Sequence, residues 1–221
     1  GMANHPVTYV SFWSAARFAN WLTNGRPTGP QGDATTETGM YNLGGVTNPT
    51  NTDVTRQIDF AAGQNGVAVA SEDEWYKAAY YDPTLNGGTG GYYDYPTQSD
   101  TAPTAEDPPG GSNSANYANA VDELTEVGAY SASPSYYNTL DQGGNVVEWT
   151  DQVASVSLRT LRGGSLFSNA STISNSITSL GVPTTELSYI GFRVTSLAPL
   201  GPSSSAQSDL ISTGDLVLTA G

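Results

Sequence analysis

The sequence contains no cysteine, a single histidine and a single lysine among its 221 residues. Without cysteine the chain can form no disulfide, no thiolate nucleophile and no cysteine-ligated metal site. The one histidine, His5, cannot build a multi-histidine iron or zinc centre, and a Ser-His-Asp triad would have to depend on it alone. These absences exclude most thiol- and histidine-based catalysis.

Basic residues are scarce as well. The chain has 21 Asp and Glu but only 7 Lys and Arg, which gives a net charge of −14. An acidic surface repels phosphate backbones, so we predict no nucleic-acid partner. The sequence also has no run of 18 apolar residues, so we predict no insertion into a membrane.

Two segments predict helices. Ser11 is a helix N-cap, and the apolar residues that follow recur at helical spacing to about Thr23. Ser71 and Glu74 have the spacing of a capping box at the start of a second helix. Pro83 ends that helix, because the residue before a proline avoids the helical conformation.

Short β-rich runs predict strands, one early in the chain and four late. They are Val7–Val10, Glu126–Gly128, Asn145–Thr150, Ser157–Arg162 and Ile190–Thr195. A long loop rich in Gly, Tyr, Pro and Ser occupies residues 84–115. Helices early and strands late predict an α+β domain over residues 1–196. Residues 197–221 are read as a Pro/Gly/Ser linker and tail, whose end is either a strand added to a neighbour or a disordered remnant.

Five phrases, in order along the chain, resemble the formylglycine-generating-enzyme (sulfatase-modifying factor) domain family. They are Pro6–Phe12, Ser71–Trp75, Gly144–Thr150, Leu161–Ser165 and Gly191–Val194. The resemblance implies a C-type-lectin-like fold, with two helices, small antiparallel sheets and long loops. The alternative to a functional role is a purely structural one. In that interpretation the glycines and tryptophans of these phrases build the fold, and their arginines pair with internal carboxylates or carbonyls.

The resembling enzymes use two cysteines, five residues apart just after the Gly-Gly-Ser phrase, to bind copper and attack the substrate. The matching positions here are Ser168 and Ile173, and neither side chain is a soft copper ligand. A related branch of the family holds iron with histidines, which one histidine cannot supply. We therefore predict no copper and no catalysis.

The resembling enzymes also carry structural calcium, which prefers six to eight oxygen ligands. Asn145 and Glu148, with the carbonyl of Val147, match one family site, and Asn116 with Asp122 resembles the other. The alternative for each pair is a hydrogen-bonded turn. The resemblance thus predicts structural Ca²⁺ as the one inorganic ligand.

A second resemblance concerns residues 166–189. The variable proteins of diversity-generating retroelements share this fold, and their variable region runs from a Gly-Gly-Ser phrase to a Gly-Phe-Arg phrase. Adenine-directed randomisation of Asn codons cannot produce Lys, Glu, Gln, Met or Trp, and only Glu186 of these 24 residues falls in that group. The resemblance predicts a ligand-binding surface at Leu166, Phe167, Ser168, Asn169, Ser171, Thr172, Ile173, Asn175, Ile177, Ser179, Leu180, Thr185, Leu187, Ser188 and Tyr189.

Two functions follow as hypotheses. The first is a non-catalytic variable protein that binds a protein or glycan on a host or target cell. The second is an exported or surface bacterial protein whose enzyme-like domain is degenerate and whose sequence at 166–189 is fixed. In either case we expect the protein outside the cell or on a cell or virion surface. An enzyme would instead show a buried, convergent polar cluster beneath Ser168.

Overall fold

A mixed sheet of six strands forms the centre of the fold in the computed structural model, which describes residues 4–197 and the backbone of residues 217–220. The strands are β1 (Val67–Val69), β2 (Tyr81–Asp82), β3 (Gly91–Tyr92), β4 (Thr104–Ala105), β5 (Ser114–Ala115), β6 (Val147–Ser155), β7 (Leu158–Arg162), β8 (Ser179–Gly181), β9 (Ile190–Ser196) and β10 (Val217–Ala220). Within the main sheet the order is β1-β9-β6-β7-β8, and β10 pairs with β9. Two further pairs, β2–β3 and β4–β5, are separate small sheets.

The two predicted helices are present with their predicted caps. Helix α1 spans Phe12–Thr23, and the Ser11 side chain accepts a hydrogen bond from the Ser14 N–H. Helix α2 spans Glu72–Tyr80 and begins with the complete capping box of Ser71 and Glu74. Three shorter helical pieces lie in the loops: the π-turn Asp33–Glu37, the 3₁₀ turn Asn51–Asp53 and α3 (Leu85–Gly88).

The main core lies between α1 and the sheet. Phe12 of α1 contacts the rings of Tyr41 and Trp149 edge-on, and all three side chains are fully buried. The Trp149 indole N–H donates to the Val10 carbonyl at 3.0 Å. This bond ties the segment before α1 to strand β6, so the chain entering α1 lies against the sheet.

Two predicted strands are wrong. Residues 7–10 form no strand, because Tyr9 adopts a positive φ of 54°, which breaks the extended backbone. Residues 126–128 form a turn instead, with Gly128 at φ 79°. The sheet is also less uniformly antiparallel than predicted, because β6 and β9 pair in parallel from Val147–Ile190 onward.

The predicted α+β class is confirmed. Of the predicted linker and tail at 197–221, residues 198–216 and 221 lie outside the described residues. The four residues of β10 pair antiparallel with β9 of the same chain, so this end of the tail forms a strand of the domain's own sheet. In the part of the chain that the structure describes, no helix is long and apolar enough to cross a bilayer.

Candidate ligand-binding surface

Residues 166–189 connect two central strands of the main sheet. The segment leaves β7 through Gly163 and Gly164, forms the edge strand β8, and returns to the sheet at β9. At Gly164 the backbone has a φ of 65°, and an added Cβ would lie 2.8 Å from the Ile173 Cγ2 atom. Glycine is therefore required where the segment turns away from the sheet.

The first part of the segment is held through its backbone by a neighbouring loop. The Asn119 N–H donates to the Leu166 carbonyl and the Ala118 N–H donates to the Ser168 carbonyl, both at 2.8 Å. The Leu166 N–H donates in turn to the Asn145 carbonyl at 3.0 Å. None of these bonds depends on a side chain of the segment.

Arg162 and the 84–115 loop hold the middle of the segment. The Arg162 Nη1 atom donates to the carbonyls of Asn175 and Ile177 at 3.0 and 2.8 Å, while the Arg162 Nε and Nη2 atoms donate to the carboxylate of Glu72. The Asn175 N–H donates to the Asp94 carbonyl at 2.9 Å. Arg162 therefore pairs with an internal carboxylate and with carbonyls, as expected if the Leu161–Ser165 phrase has a structural role.

The last part of the segment is held by residues before and within α1. The Phe12 N–H donates to the Pro183 carbonyl at 2.9 Å, and the Tyr9 N–H donates to the Leu187 carbonyl at 3.0 Å. Strand β8 adds its ladder to β7. Groups outside the segment thus fix its backbone at the start, in the middle and at the end, and internal turns join these points.

Half of the 24 residues of the segment, by contrast, are exposed, and Leu166, Ile173 and Pro183 are buried. Its exposed large apolar residues are Phe167, Ile177, Leu180, Val182 and Leu187. The exposed polar side chains bond mainly to one another, as when the Asn169 Oδ1 atom accepts from Ser171 and Thr172. A side chain that reaches out of the segment is Asn175, whose Nδ2 donates to the Tyr93 carbonyl at 2.9 Å.

Two residues predicted to bind ligand do not lie on this surface. Leu166 is 3% exposed and Ile173 is 0% exposed, so both belong to the interior. Ile173 packs with Ala115 and Tyr117 in a small apolar cluster. The Ser168 hydroxyl accepts from the Ser165 N–H at 2.9 Å and has a local role. Val182, which the sequence did not single out, is exposed and belongs with the predicted set.

The predicted calcium ligands have protein partners. The two carboxylate oxygens of Glu148 accept from Arg193 at 2.5 and 2.6 Å, and one of them also accepts from the Trp75 indole at 2.6 Å. As arranged here, Glu148 does not fit a calcium site, because both of its oxygens face donors. Val147 lies in β6, paired with Ile190.

Asn145 and Asn116 do lie together. The Asn116 Nδ2 atom donates to the Asn145 Oδ1 at 3.3 Å, and that same oxygen accepts from the Thr125 N–H at 3.0 Å. The Asn116 Oδ1 atom is buried without a hydrogen-bond partner. Asp122 is exposed. Within the described residues, no three acidic or histidine side chains come together, so calcium at Asn116 stays a prediction based on one free acceptor.

Asp141 lines the same small cavity as Asn116 and Asn145, and the sequence did not single it out. Its Oδ2 atom accepts from the Gly128 N–H at 2.6 Å. Burial raises the pKa of the Asp141 carboxyl above its usual range, against the opposing effects of that hydrogen bond and of Arg193. The ionised form therefore destabilises the fold at neutral pH, and this effect is absent below the ordinary carboxyl pKa of about 3.9.

Asp141→Asn should consequently raise the melting temperature by a few degrees at pH 7. The amide keeps an acceptor for Gly128 and removes the buried charge. The difference from the parent protein should shrink as the pH falls through the raised pKa of the folded state, and it should vanish below about 3.9, where the carboxyl is neutral in both the folded and the unfolded state. Scanning calorimetry from pH 3 to 8 in EDTA measures this. A lower melting temperature for the variant than for the parent protein at pH 7 would contradict this prediction. If added calcium makes the parent protein more stable than the variant, a cation binds at the Asp141 carboxylate.

Comparison with known proteins agrees with this geometry. A model of the sulfatase-modifying factor enzyme 1-like domain matches residues 1–197. Variable protein 1 of Treponema denticola has a similar structure, with a TM-score of 0.57 and 20% identity over 88% of this chain and 72% of its own. CarF gives a TM-score of 0.59 at 22% identity, over 86% and 67% of the two chains. PvdO from Pseudomonas aeruginosa gives 0.51 at 16%, over 86% and 61%.

No curated protein matches this chain by sequence. At identities of 16 to 22% the solved structures establish the fold, and they confirm the predicted C-type-lectin-like type. The family model spans nearly all of the described residues. The chain therefore belongs to the family of sulfatase-modifying factor enzyme 1-like domains.

Proposed function

We propose that this chain is a non-catalytic ligand-binding protein, the variable protein of a diversity-generating retroelement, and that residues 166–189 are its variable surface. The observation that carries the proposal is the division between backbone and side chains in this segment. Backbone bonds to Ala118, Asn119, Asp94, Tyr9 and Phe12 hold its path, while half of its residues expose their side chains to solvent. A surface of this kind can change sequence without losing its fold.

The region beneath Ser168 supports the absence of catalysis. Ile173 occupies the position of the second family cysteine, fully buried, and its neighbours Ala115 and Tyr117 are apolar in their packing. A catalytic centre needs polar groups that converge on a reacting atom. The Tyr117 hydroxyl at this site already donates to the Pro103 carbonyl at 2.5 Å, so it serves the fold.

The composition of the surface supports binding. Hydroxyl and amide side chains surround a few apolar ones, which is the mixture that adaptable paratopes use. The proposal includes export of the protein to a cell or virion surface, and a protein or glycan ligand on a host or target cell. Likeness to a variable protein from Treponema denticola supports the same function.

Sequencing this gene from many individuals of its source population tests the proposal. We expect the codons of exposed residues such as Phe167, Asn169 and Leu180 to vary at adenine-templated positions. The codons of Arg162–Ser165 and Ile190–Val194 should stay fixed, since these residues hold the segment. Leu166 and Ile173 should stay apolar, because they are buried. An invariant segment would overturn the retroelement assignment and leave an exported, degenerate domain as the account.

A further inference from the structure

Tyr9 has an unusual backbone for a bulky residue. Its φ is 54°, in the left-handed region, where most of the other non-glycine residues of this chain are Asn or Asp. Asn and Asp tolerate that region, whereas a bulky side chain there is a genuine outlier. Such strain persists where the surrounding structure imposes it, and it concentrates at functional sites.

The ring of Tyr9 does not offset this strain by packing within the domain. The residue is 65% exposed. Among the described residues, its phenol has no hydrogen-bond partner and its ring stacks on no other. Inside the fold, Tyr9 contributes a backbone bond to Leu187 that any residue could make. The aromatic side chain therefore faces outward at a position where Asn would fit better.

Tyr9 lies next to other apolar residues in the fold, and we call this group of neighbouring residues the Tyr9 patch: Val7, Tyr9, Phe167, Leu187 and Tyr189. The Tyr9 N–H bonds to the Leu187 carbonyl at 3.0 Å, and the rings of Phe167 and Tyr189 meet edge-on with centroids 5.6 Å apart. Val7 lies against the start of β9, since its carbonyl oxygen is 2.9 Å from where a Cβ at Gly191 would be. Val7, Tyr9, Phe167 and Leu187 are all exposed.

The charge of the chain decides what kind of partner fits the patch. With a net charge of −14, two copies repel each other, and the exposed carboxylate next to Leu187 is Glu186. Tyrosine and phenylalanine are the residues that anchor protein–protein contacts. The patch therefore suits a different protein that offers apolar side chains with Lys or Arg around them.

We infer that Tyr9 is a fixed aromatic anchor of the ligand-binding surface, and that the Tyr9 patch binds a protein partner with a basic rim. The inference rests on the proposed function for its location, because three of the five residues belong to 166–189. It goes beyond the proposed function in two ways. It names a constant residue outside the variable segment as part of the binding surface, and it names a protein, not a glycan, as the ligand.

Tyr9→Asn separates a binding role from a structural one. Asn relieves the left-handed strain, so we expect the melting temperature to rise by about 2–4 °C. A lower melting temperature would show that the ring supports the fold and would overturn the anchor role. Tyr9→Phe keeps the ring and the strain, and should melt like the parent protein. Val156→Ala, at a residue 79% exposed and outside the patch, is the control for both measurements.

The probe for binding is a phage-displayed library of random dodecapeptides selected on the parent protein. We expect enriched peptides that combine Lys or Arg with aromatic or aliphatic residues. Their affinity should fall at least about tenfold for Tyr9→Asn and stay unchanged for Tyr9→Phe and Val156→Ala. No enrichment, or enriched peptides indifferent to Tyr9→Asn, would overturn the inference, as would a dimer in sedimentation that Tyr9→Asn dissolves. If the population sequence is invariant but the peptides need Tyr9, the variable-protein assignment falls and the patch stands.

Discussion

Glu148→Ala should lower the free energy of unfolding by about 3–5 kcal/mol, because it leaves the Arg193 guanidinium buried without its counter-charge. Glu148 is 4% exposed and Arg193 is 2% exposed, and their two contacts are 2.5 and 2.6 Å long. The same carboxylate accepts from the Trp75 indole of α2. The Glu148 side chain thus joins β6 to β9 and to α2. Its loss removes two hydrogen bonds to Arg193 of β9 and one to Trp75 of α2.

Urea unfolding followed by tryptophan fluorescence measures this loss. Glu72→Ala is the matched control, because Glu72 pairs with Arg162 at 2.5 Å but is partly exposed. Its removal should cost less, about 1–2 kcal/mol, because water reaches the partly exposed Glu72 and Arg162, although buried, keeps its bonds to the carbonyls of Asn175 and Ile177. Equal losses for the two variants would mean that burial does not set the value of these ion pairs.

Ile173→Ala should lower the free energy of unfolding by about 2–5 kcal/mol, although Ile173 lies within the segment proposed to vary. Its side chain is fully buried against Ala115 and Tyr117, and no exposed side chain could refill the space. Ile177→Ala removes the same atoms four residues later, where the side chain is 39% exposed. That substitution should change stability by about 0.5 kcal/mol or less.

The Ile173 and Ile177 pair tests the division of the segment into an anchored part and a displayed part. Both variants are measured by urea unfolding under identical conditions. Comparable losses would show that residue 177 is also packed as core, and the displayed surface would then be smaller than described. Negligible loss at both positions would show that the segment contributes nothing to the fold.

Local chemistry made the helices predictable. Ser11, Ser71 and Glu74 act through contacts within one turn, so the sequence alone contains the whole interaction. Three of the four later strands were found, at Val147–Ser155, Leu158–Arg162 and Ile190–Ser196, because these runs are rich in β-formers. Strand β8, by contrast, was not predicted, since Ser-Leu-Gly has no signal of its own and becomes a strand by pairing with β7.

Long-range contacts account for the errors. Residues 7–10 have the alternation of a strand, but the left-handed Tyr9 and its bond to Leu187 give them another path. The location of the candidate surface followed from the phrases on either side of it. The burial of Leu166 and Ile173 could not be predicted, because the segment has no periodicity that separates an inner face from an outer face. The pairing of Glu148 with Arg193 likewise depends on β6 and β9 being neighbours.

The position of β8 limits which side chains the segment can carry without making the protein aggregate. β8 is the outer strand of the main sheet, and Leu180 at its centre is 55% exposed between the exposed residues Ile177 and Val182. An open edge with apolar side chains is a template for pairing with other chains, and edge strands are normally kept short or polar for that reason. Variants that place more β-branched or aromatic residues here would still fold, but they would aggregate. If the segment varies as proposed, the variants that stay soluble are therefore fewer at β8 than random change of its codons would produce.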